Sequence, residues 1–277
     1  MASLAYPVDA GAVEATLQEQ IPALTIPPPT ALIFVIPAYN EAENLPRLFA
    51  ELEERPSLFS DGSRIILVDD GSEDATPDLV RSYDGPLPIE LVSLDSNQGP
   101  GAAFRAGFDR ALAHCPDDAL VVTLEADTTS DLDALPTMLA RAAGGAELVL
   151  ASVHGGGRML NVSPWRRLLS AGASVVVRIA LGLDAHTVSS FFRVYKVSIL
   201  RTAVERYGDE LIEETGFACK AELLAKIAGL GARIEEVPVD LDGTKRVGTS
   251  RMKVMPTLNG YWRLMRRGRA GKESNPV

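Results

Sequence analysis

The chain has 277 residues, 46% of them apolar and 23% charged, which is the composition of an ordinary globular protein. Its formal charge of −10 excludes the broad basic footprint that phosphate-backbone binding needs, so nucleic acid is not an expected partner. Two distant cysteines, Cys115 and Cys219, rule out a disulfide framework or a CxxC zinc site and fit a reducing cytosol.

Residues 1–30 carry little periodic pattern, end in Pro27-Pro28-Pro29 and are expected to form a flexible arm. They show no basic start followed by an apolar core, so no secretory signal is expected. From Ala31 onward short apolar runs alternate with stretches of helical spacing. Strands are expected at Leu32–Ile36, Ile65–Val68, Ile89–Leu94, Leu120–Leu124 and Leu148–Leu150. Helices are expected at Leu45–Leu52, Pro77–Tyr83, Ala102–Ala113 and Leu132–Ala143, with Asn44 and Asp131 as candidate caps. Runs of that length suit strands buried on both faces, which predicts an α/β fold with right-handed βαβ units and a mainly parallel sheet.

After Ser152 the rhythm breaks. His154-Gly-Gly-Gly-Arg158 reads as a loop, and Pro164–Leu183 as a long amphipathic helix that Arg178 and its shortness disqualify as a membrane span. A strand at Ser190–Tyr195, helices near Ile199–Tyr207 and Ala218–Leu230, a strand at Arg233–Val239 and a basic last helix over Ser250–Arg267 complete the chain. The histidines His114, His154 and His186 show no metal-ligand spacing.

Ligands of open parallel sheets bind beyond the C-terminal strand ends. Those ends carry Pro37-Ala-Tyr39-Asn40-Glu41, Asp69-Asp70-Gly71-Ser72, Asn97-Gln98-Gly99 and Glu125-Ala126-Asp127. Tyr39 suits packing on a base or ribose, and Asp69 or Asp70 suits accepting hydrogen bonds from a nucleoside. Glu125 and Asp127, two apart on an expected extended segment, share a face able to hold Mg²⁺ or Mn²⁺. Gly99-Pro-Gly101 is no dinucleotide fingerprint, since Phe104 stands where a third glycine is needed.

Taken together, Val35-Ile-Pro-Ala-Tyr-Asn-Glu41, Ile66-Leu-Val-Asp-Asp-Gly-Ser72, Asn97-Gln-Gly99 and Glu125-Ala-Asp127 resemble the family 2 inverting glycosyltransferases of GT-A fold. Trp165-Arg-Arg-Leu-Leu-Ser170, Ser190-Phe-Phe-Arg-Val-Tyr195, Glu235-Glu-Val-Pro238 and Gly248-Thr-Ser-Arg251 are similar to the dolichol- and polyprenol-phosphate mannosyltransferase branch. The resemblance implies a GT-A domain over residues 31–255. Residues 31–152 would bind the nucleotide sugar and 153–255 the acceptor, followed by a basic C-terminal helix at 256–277.

It also implies roles. Pro37, Tyr39, Glu41, Val68, Asp70 and Ala126 would hold a donor of the GDP-mannose or UDP-glucose type. Glu125 and Asp127, with Thr129 at the third ligand position, would carry Mg²⁺ or Mn²⁺. Arg193, Lys245 and Arg246 would face the donor phosphates or sugar, and Arg166 and Ser170 the phosphate of a polyprenyl acceptor. The chain departs from the pattern where Glu125 replaces an aspartate and Thr129 a glutamine. It departs again where Ala151-Ser152-Val153 lacks an arginine and where Thr187…Phe191-Phe192-Arg193 replaces Asp…Gly-Phe-Arg.

A hydroxyl acceptor needs a general base. The Glu-Asp pair that supplies it elsewhere in the family has no counterpart near Cys219-Lys220, although Glu213, Glu214 and Glu222 lie close in sequence. An anionic lipid phosphate needs no such base, so the leading expectation is hexosyl transfer to a polyprenyl phosphate with inversion. The rivals are transfer to a hydroxyl acceptor and a nucleotide-sugar-binding protein without catalysis. The Pro164–Leu183 helix and the aromatic-basic run Tyr261-Trp262-Arg263…Arg269 suit a membrane surface, which predicts a cytoplasmic protein peripheral to a membrane.

Overall fold

The computed structural model describes residues 31–161, 172, 174, 175, 178, 179, 182, 185–242, 244, 245 and 254–273. The first half alternates as the periodicity predicts: β1 (Leu32–Ala38), α1 (Leu45–Glu53), β2 (Arg64–Asp69), α2 (Thr76–Arg81), β3 (Ile89–Ser93), α3 (Pro100–Leu112), β4 (Leu120–Thr123), α4 (Leu135–Ala143) and β5 (Leu148–Ser152). Each of the four helices has a proline in its first turn, where the missing N–H costs nothing. α1 buries Leu45, Leu48, Phe49 and Leu52, one stripe at helical spacing.

The strands run in the order β3-β2-β1-β4-β7-β5-β8. Here β7 is Arg193–Lys196 and β8 is Ile234–Pro238. Most pairs are parallel, but β7 lies antiparallel between β4 and β5, with Thr123 opposite Arg193 and Arg193 opposite Leu150. The expected succession of parallel strands is therefore interrupted by a strand from the second half of the chain. Between β5 and β7 a short strand β6 (Arg158–Leu160) pairs in parallel with β9 (Asp240–Asp242) outside the main sheet. Strand β7 leads into α5 (Val197–Tyr207), α6 (Cys219–Gly229) follows, and α7 (Val254–Glu273) closes the described chain.

Side chains alternate across β1, so the sheet is buried on both faces. Ile33 and Val35 belong to one apolar cluster with Phe104, Phe108, Leu200, Leu224, Tyr261 and Leu264, so α3, α5, α6 and α7 contribute to the core on that face. Phe34 and Ile36 meet Leu45, Leu52, Leu135 and Met138 of α1 and α4 on the other.

Two caps differ in outcome. Asp131 accepts the N–H of Asp133 and opens a short 3₁₀ turn that leads into α4. Asn44 stands at the cap position of α1, but its side chain makes no cap bond and instead donates to Glu41 Oε2 at 2.6 Å. Most of the helix expected over 164–183 lies outside the described residues; positions 172, 174, 175, 178 and 179 are helical.

Candidate active site

The strand ends β1, β2, β3 and β4 lie side by side, and hydrogen bonds tie their loops together. Asn40 takes a left-handed conformation (φ 52°), and its side-chain Oδ1 accepts the N–H of Glu73 at 2.7 Å and of Asp74 at 3.3 Å. The Asn40 N–H meets the Ser72 hydroxyl at 2.8 Å, and the Glu41 N–H meets Thr76 Oγ1 at 2.8 Å. This pins the Tyr39–Glu41 loop onto the turn after β2. Tyr39 and Pro37 are half-buried and Glu41 is buried. Val68 is fully buried, facing Gly107 of α3, so its side chain belongs to the core and only its main chain remains for a ligand.

Asp69 accepts the Ser72 N–H at 3.0 Å, closing the turn that Gly71 makes possible at φ +66°. A Cβ at Gly71 would stand 2.4 Å from the Ser96 carbonyl carbon, so this turn and the loop after β3 are in contact. Asp70 is buried, and its two carboxylate oxygens accept the N–H groups of Gln98 at 2.7 Å and Gly99 at 2.8 Å. Burial raises the Asp70 pKa above its ordinary value, against the lowering effect of those two N–H groups, and the Asp69 charge raises it further. An open cleft of about 450 Å³ adjoins these loops, lined by Asp69, Gly71, Ser72, Asp95, Ser96 and Asn97. Its size suits a small ligand.

Beyond β4 the backbone does not stay extended: Ala126 and Asp127 form a turn, and Thr128 sits at φ 59°, a strained setting for a β-branched residue. Asp127 is buried, and its Oδ1 accepts the Thr129 N–H at 3.1 Å and hydroxyl at 2.6 Å. The Thr129 hydroxyl thus supports Asp127 in the described arrangement. The Lys245 carbonyl accepts from Thr128 Oγ1 at 3.2 Å and from Arg47 at 3.0 Å, which brings Lys245 alongside the acidic turn. Among the described residues no group of three or more His, Cys, Asp or Glu converges on one point. Two carboxylates of all-oxygen chemistry still fit a Mg²⁺ or Mn²⁺ ion that takes further ligands from substrate phosphates and water.

Arg193 lies elsewhere than expected. It is 1% exposed, with its guanidinium donating to the Lys220 carbonyl at 3.0 Å and the Val188 carbonyl at 3.1 Å. Its place on β7 directs it into the core, where it fixes the start of α6 and does not open onto a donor cleft. Arg166, Ser170 and Arg246 lie outside the described residues. Glu213, Glu214 and Glu222, the sequence candidates for a base, are engaged in a network with α7. Glu222 accepts the N–H groups of Glu213 and Glu214 at 2.9 and 2.8 Å, and Arg263 binds Glu214 through two nitrogens. Arg267 and Lys226 reach Glu213 at 3.2 and 3.4 Å.

Where a missing arginine marks the end of β5, the buried Ser152 hydroxyl bonds the Thr187 hydroxyl at 2.7 Å and the Gly155 N–H at 2.8 Å. Glu236 completes this latch by accepting the N–H groups of His186 and Thr187, each at 2.9 Å.

Lys220 is buried, with its ammonium 3.9 Å from the Phe191 ring centre, and burial lowers its pKa against the opposing pull of Glu125, Cys219 and Asp127. Its sequence signal was a lone lysine in the apolar run Phe217-Ala-Cys-Lys-Ala221.

Comparison with known proteins bears on the family and the fold. The chain is 31% identical over 224 residues to the undecaprenyl-phosphate mannosyltransferase of Micrococcus luteus, covering 80% of this chain and 87% of that one. It is 29% identical over 232 residues to the polyprenol monophosphomannose synthase of Mycolicibacterium smegmatis, covering 82% and 83%. The fold matches a crystal structure of glucosyl-3-phosphoglycerate synthase from Mycobacterium tuberculosis in complex with Mn²⁺, UDP-glucose and glycerol 3-phosphate. That match has a TM-score of 0.58 at 17% identity and covers 99% of this chain and 87% of that one. The architecture is the α/β GT-A fold. The glycosyl transferase family 2 model matches residues 33–203, and the chain belongs to that family of enzymes.

Proposed function

We propose that the protein transfers a hexosyl group from a nucleotide sugar to a polyprenyl phosphate, inverting the anomeric centre. The observation that carries this reading is the convergence of four strand ends on one edge, with a buried Asp70 and Asp127, in a chain aligned along most of its length with two lipid-phosphate mannosyltransferases. In this reading the Pro37–Glu41 loop and the Asp70 turn hold the nucleoside of a GDP-mannose or UDP-glucose type donor.

Glu125 and Asp127 hold Mg²⁺ or Mn²⁺, which when bound neutralises charge on the leaving diphosphate. Ala126 lies between them, Thr129 orients Asp127 through its hydroxyl, and Lys245, whose carbonyl meets Thr128, and its sequence neighbour Arg246 are the proposed cations for the donor. Arg193 acts indirectly, by holding the Lys220 main chain. The engagement of Glu213, Glu214 and Glu222 with α7 supports an acceptor that needs no general base. Arg166 and Ser170, four apart in sequence, have residue types and spacing that suit a phosphate monoester.

None of the described helices is long and apolar enough to cross a membrane. The outer face of α7 exposes Met255, Leu258 and Trp262, with the Arg266 guanidinium 4.7 Å above the Trp262 ring. That face suits the surface of an anionic bilayer and supports a reading in which the enzyme is peripheral on the cytoplasmic face of a membrane.

The test is extraction of labelled sugar into a lipid phase. Purified protein is incubated with GDP-mannose or UDP-glucose, undecaprenyl phosphate in detergent and Mg²⁺ or Mn²⁺. Metal-dependent lipid product, lost in Arg166→Ala with donor binding retained, is the expected result. Transfer only to soluble hydroxyl acceptors, with Arg166→Ala silent, overturns the acceptor and leaves the donor half standing. Donor binding without any transfer or hydrolysis overturns catalysis altogether.

A further inference from the structure

Residues 212–215, between α5 and α6, touch the donor half of the protein on one side and α7 on the other. Towards the donor half, the Thr215 carbonyl accepts the Gly101 N–H at 2.8 Å in the first turn of α3. Arg105, one turn further along α3, donates to the Ile212 carbonyl. The approach is close. A Cβ on Gly99 would stand 2.5 Å from the Thr215 carbonyl oxygen, and one on Gly101 would overlap the Glu214 carbonyl oxygen. Glycine at these two places is what lets the backbones meet. Gly99 is also the residue whose N–H Asp70 accepts at 2.8 Å, so the segment lies directly against the loop that Asp70 shapes.

On its other side the segment carries Glu214, whose side chain is 2% exposed. The carboxylate takes Arg263 Nε at 2.9 Å and a second guanidinium nitrogen of the same residue, with Arg267 at 3.9 Å beyond. Helix α7 comes in close enough that a Cβ on Gly260 would stand 2.6 Å from the Ala218 Cβ and 3.1 Å from Glu214 Oε2. The Glu214 N–H is held as well, by Glu222 at 2.8 Å. A two-nitrogen partner fixes both the place and the orientation of a carboxylate. Without that partner the buried charge has to reach solvent, and it does so by moving the main chain that carries it.

We propose that Arg263 is a positioning residue for the donor site, acting through Glu214. The ion pair with α7 sets residues 212–215 against the start of α3, and with it the loop whose N–H groups Asp70 holds. Contacts run without a gap from Asp70 through Gly99 and Gly101, Thr215 and Glu214 to Arg263. The helix that exposes Trp262 on its outer face therefore also carries a determinant of donor affinity. This inference rests on the proposed donor role of Asp70.

Coupling along such a path is measured by a double-mutant cycle on donor affinity. The test is calorimetric titration with GDP-mannose and with UDP-glucose in the presence of Mn²⁺, on wild-type protein, Arg263→Ala, Glu214→Gln and Leu264→Ala. Leu264 lies on the buried side of α7, so Leu264→Ala loosens the same helix without removing the ion pair. Thermal melting identifies the folded variants, and each titration is run below its transition. The expected result is donor affinity weakened at least roughly fivefold in Arg263→Ala and Glu214→Gln, and within about twofold of wild type in Leu264→Ala. With Asp70→Ala already present, Arg263→Ala should weaken binding by less than about a further twofold, because the loop has lost its other hold. Equal effects of Arg263→Ala and Leu264→Ala overturn the proposal and leave Arg263 a residue of the helix packing alone. Full additivity with Asp70→Ala overturns it too, since Arg263 would then act by another route. Failure of both Arg263→Ala and Glu214→Gln to fold overturns it equally. Donor binding that is absent in wild type, or that ignores Asp70→Ala, instead overturns the donor reading on which the inference rests.

Discussion

The Asp70 carboxylate accepts the Gly99 N–H at 2.8 Å, joining the end of β2 to the loop that opens α3. Because the other oxygen takes the neighbouring N–H of Gln98, one side chain holds the shape of two adjacent loops. Asp70→Ala leaves both N–H groups without their acceptor, at a cost on the order of 1–3 kcal/mol for each one left unsatisfied. Donor dissociation constants measured by calorimetry should rise at least tenfold, about 1.4 kcal/mol. An unchanged donor affinity would reduce Asp70 to a turn residue.

Asp127 and Glu125 should differ in tolerance. Asp127 is buried and held by Thr129, and Asp127→Ala is expected to abolish transfer in a protein that still folds, as a cooperative thermal transition would show. A loss on the order of several kcal/mol of transition-state stabilisation accounts for that. Glu125 is only half-buried, and Glu125→Asp should retain or raise activity. Full activity of Asp127→Ala in EDTA would remove the metal from the reaction.

The C-terminal helix is fastened through Arg263, which binds both oxygens of a Glu214 that is 2% exposed in its side chain. Arg263 itself is half-exposed, so solvent screens the pair, and Arg263→Ala should cost about 1–2 kcal/mol, below the range for a fully buried pair. In a double-mutant cycle with Glu214→Gln, thermal unfolding should show strong coupling. Additive effects would mean that the contact contributes nothing.

The Glu236 latch carries a pH signature. Burial alone would raise its carboxyl, but the hydrogen bonds from the His186 main chain and ring, the Thr187 N–H and Ser152 outweigh that and hold it below 4.5. The folded protein therefore binds this proton less tightly than the unfolded chain does. Its contribution is present above the ordinary carboxylate value and lost as the pH falls through the lower folded value. Melting temperatures across that acidic range should fall less steeply for Glu236→Gln than for wild type; superimposable profiles would exclude Glu236 as a source of the slope.

The membrane reading calls for point substitutions. Tyr261 and Leu264 lie on the inner face of α7 and are buried, so removing residues 261–277 would strip side chains from the core. Trp262→Ala combined with Met255→Ser alters only the outer face. Co-sedimentation with anionic liposomes should weaken in that variant, and Arg266→Ala should weaken it at low salt but not at high salt, where the attraction is screened. Equal sedimentation of all three proteins would locate any membrane contact elsewhere.

Much of the architecture was legible because the first five strands and their helices bury continuous or stripe-like apolar sets that repeat locally. The strand ends were legible for the same reason, since the motifs begin where each apolar run stops. What escaped was partnership between distant segments. Nothing in Arg193-Val-Tyr-Lys196 announces an antiparallel neighbour on each side, so an arginine expected in the donor cleft is instead clamped under α6. Asn44 has the right residue type and position for a cap, yet Glu41 three residues earlier competes for its amide. Lys220 sits in an apolar run, and its contacts, Phe191 and Arg193, come from a distant segment that local periodicity does not reveal.

The placement of β7 also fixes an order of events during synthesis. Strand β5 is complete at residue 152, yet its neighbours on the two sides are residues 193–196 and 234–238. Until those emerge, β4 and β5 each present an open hydrogen-bonding edge with no partner from the part of the chain already made. The nascent first half must therefore wait, with edges unsealed, for some forty further residues before β7 begins and more than eighty before β8 is complete. A ribosome-tethered chain ending at residue 152 should remain protease-sensitive, whereas one extended beyond residue 238 should close.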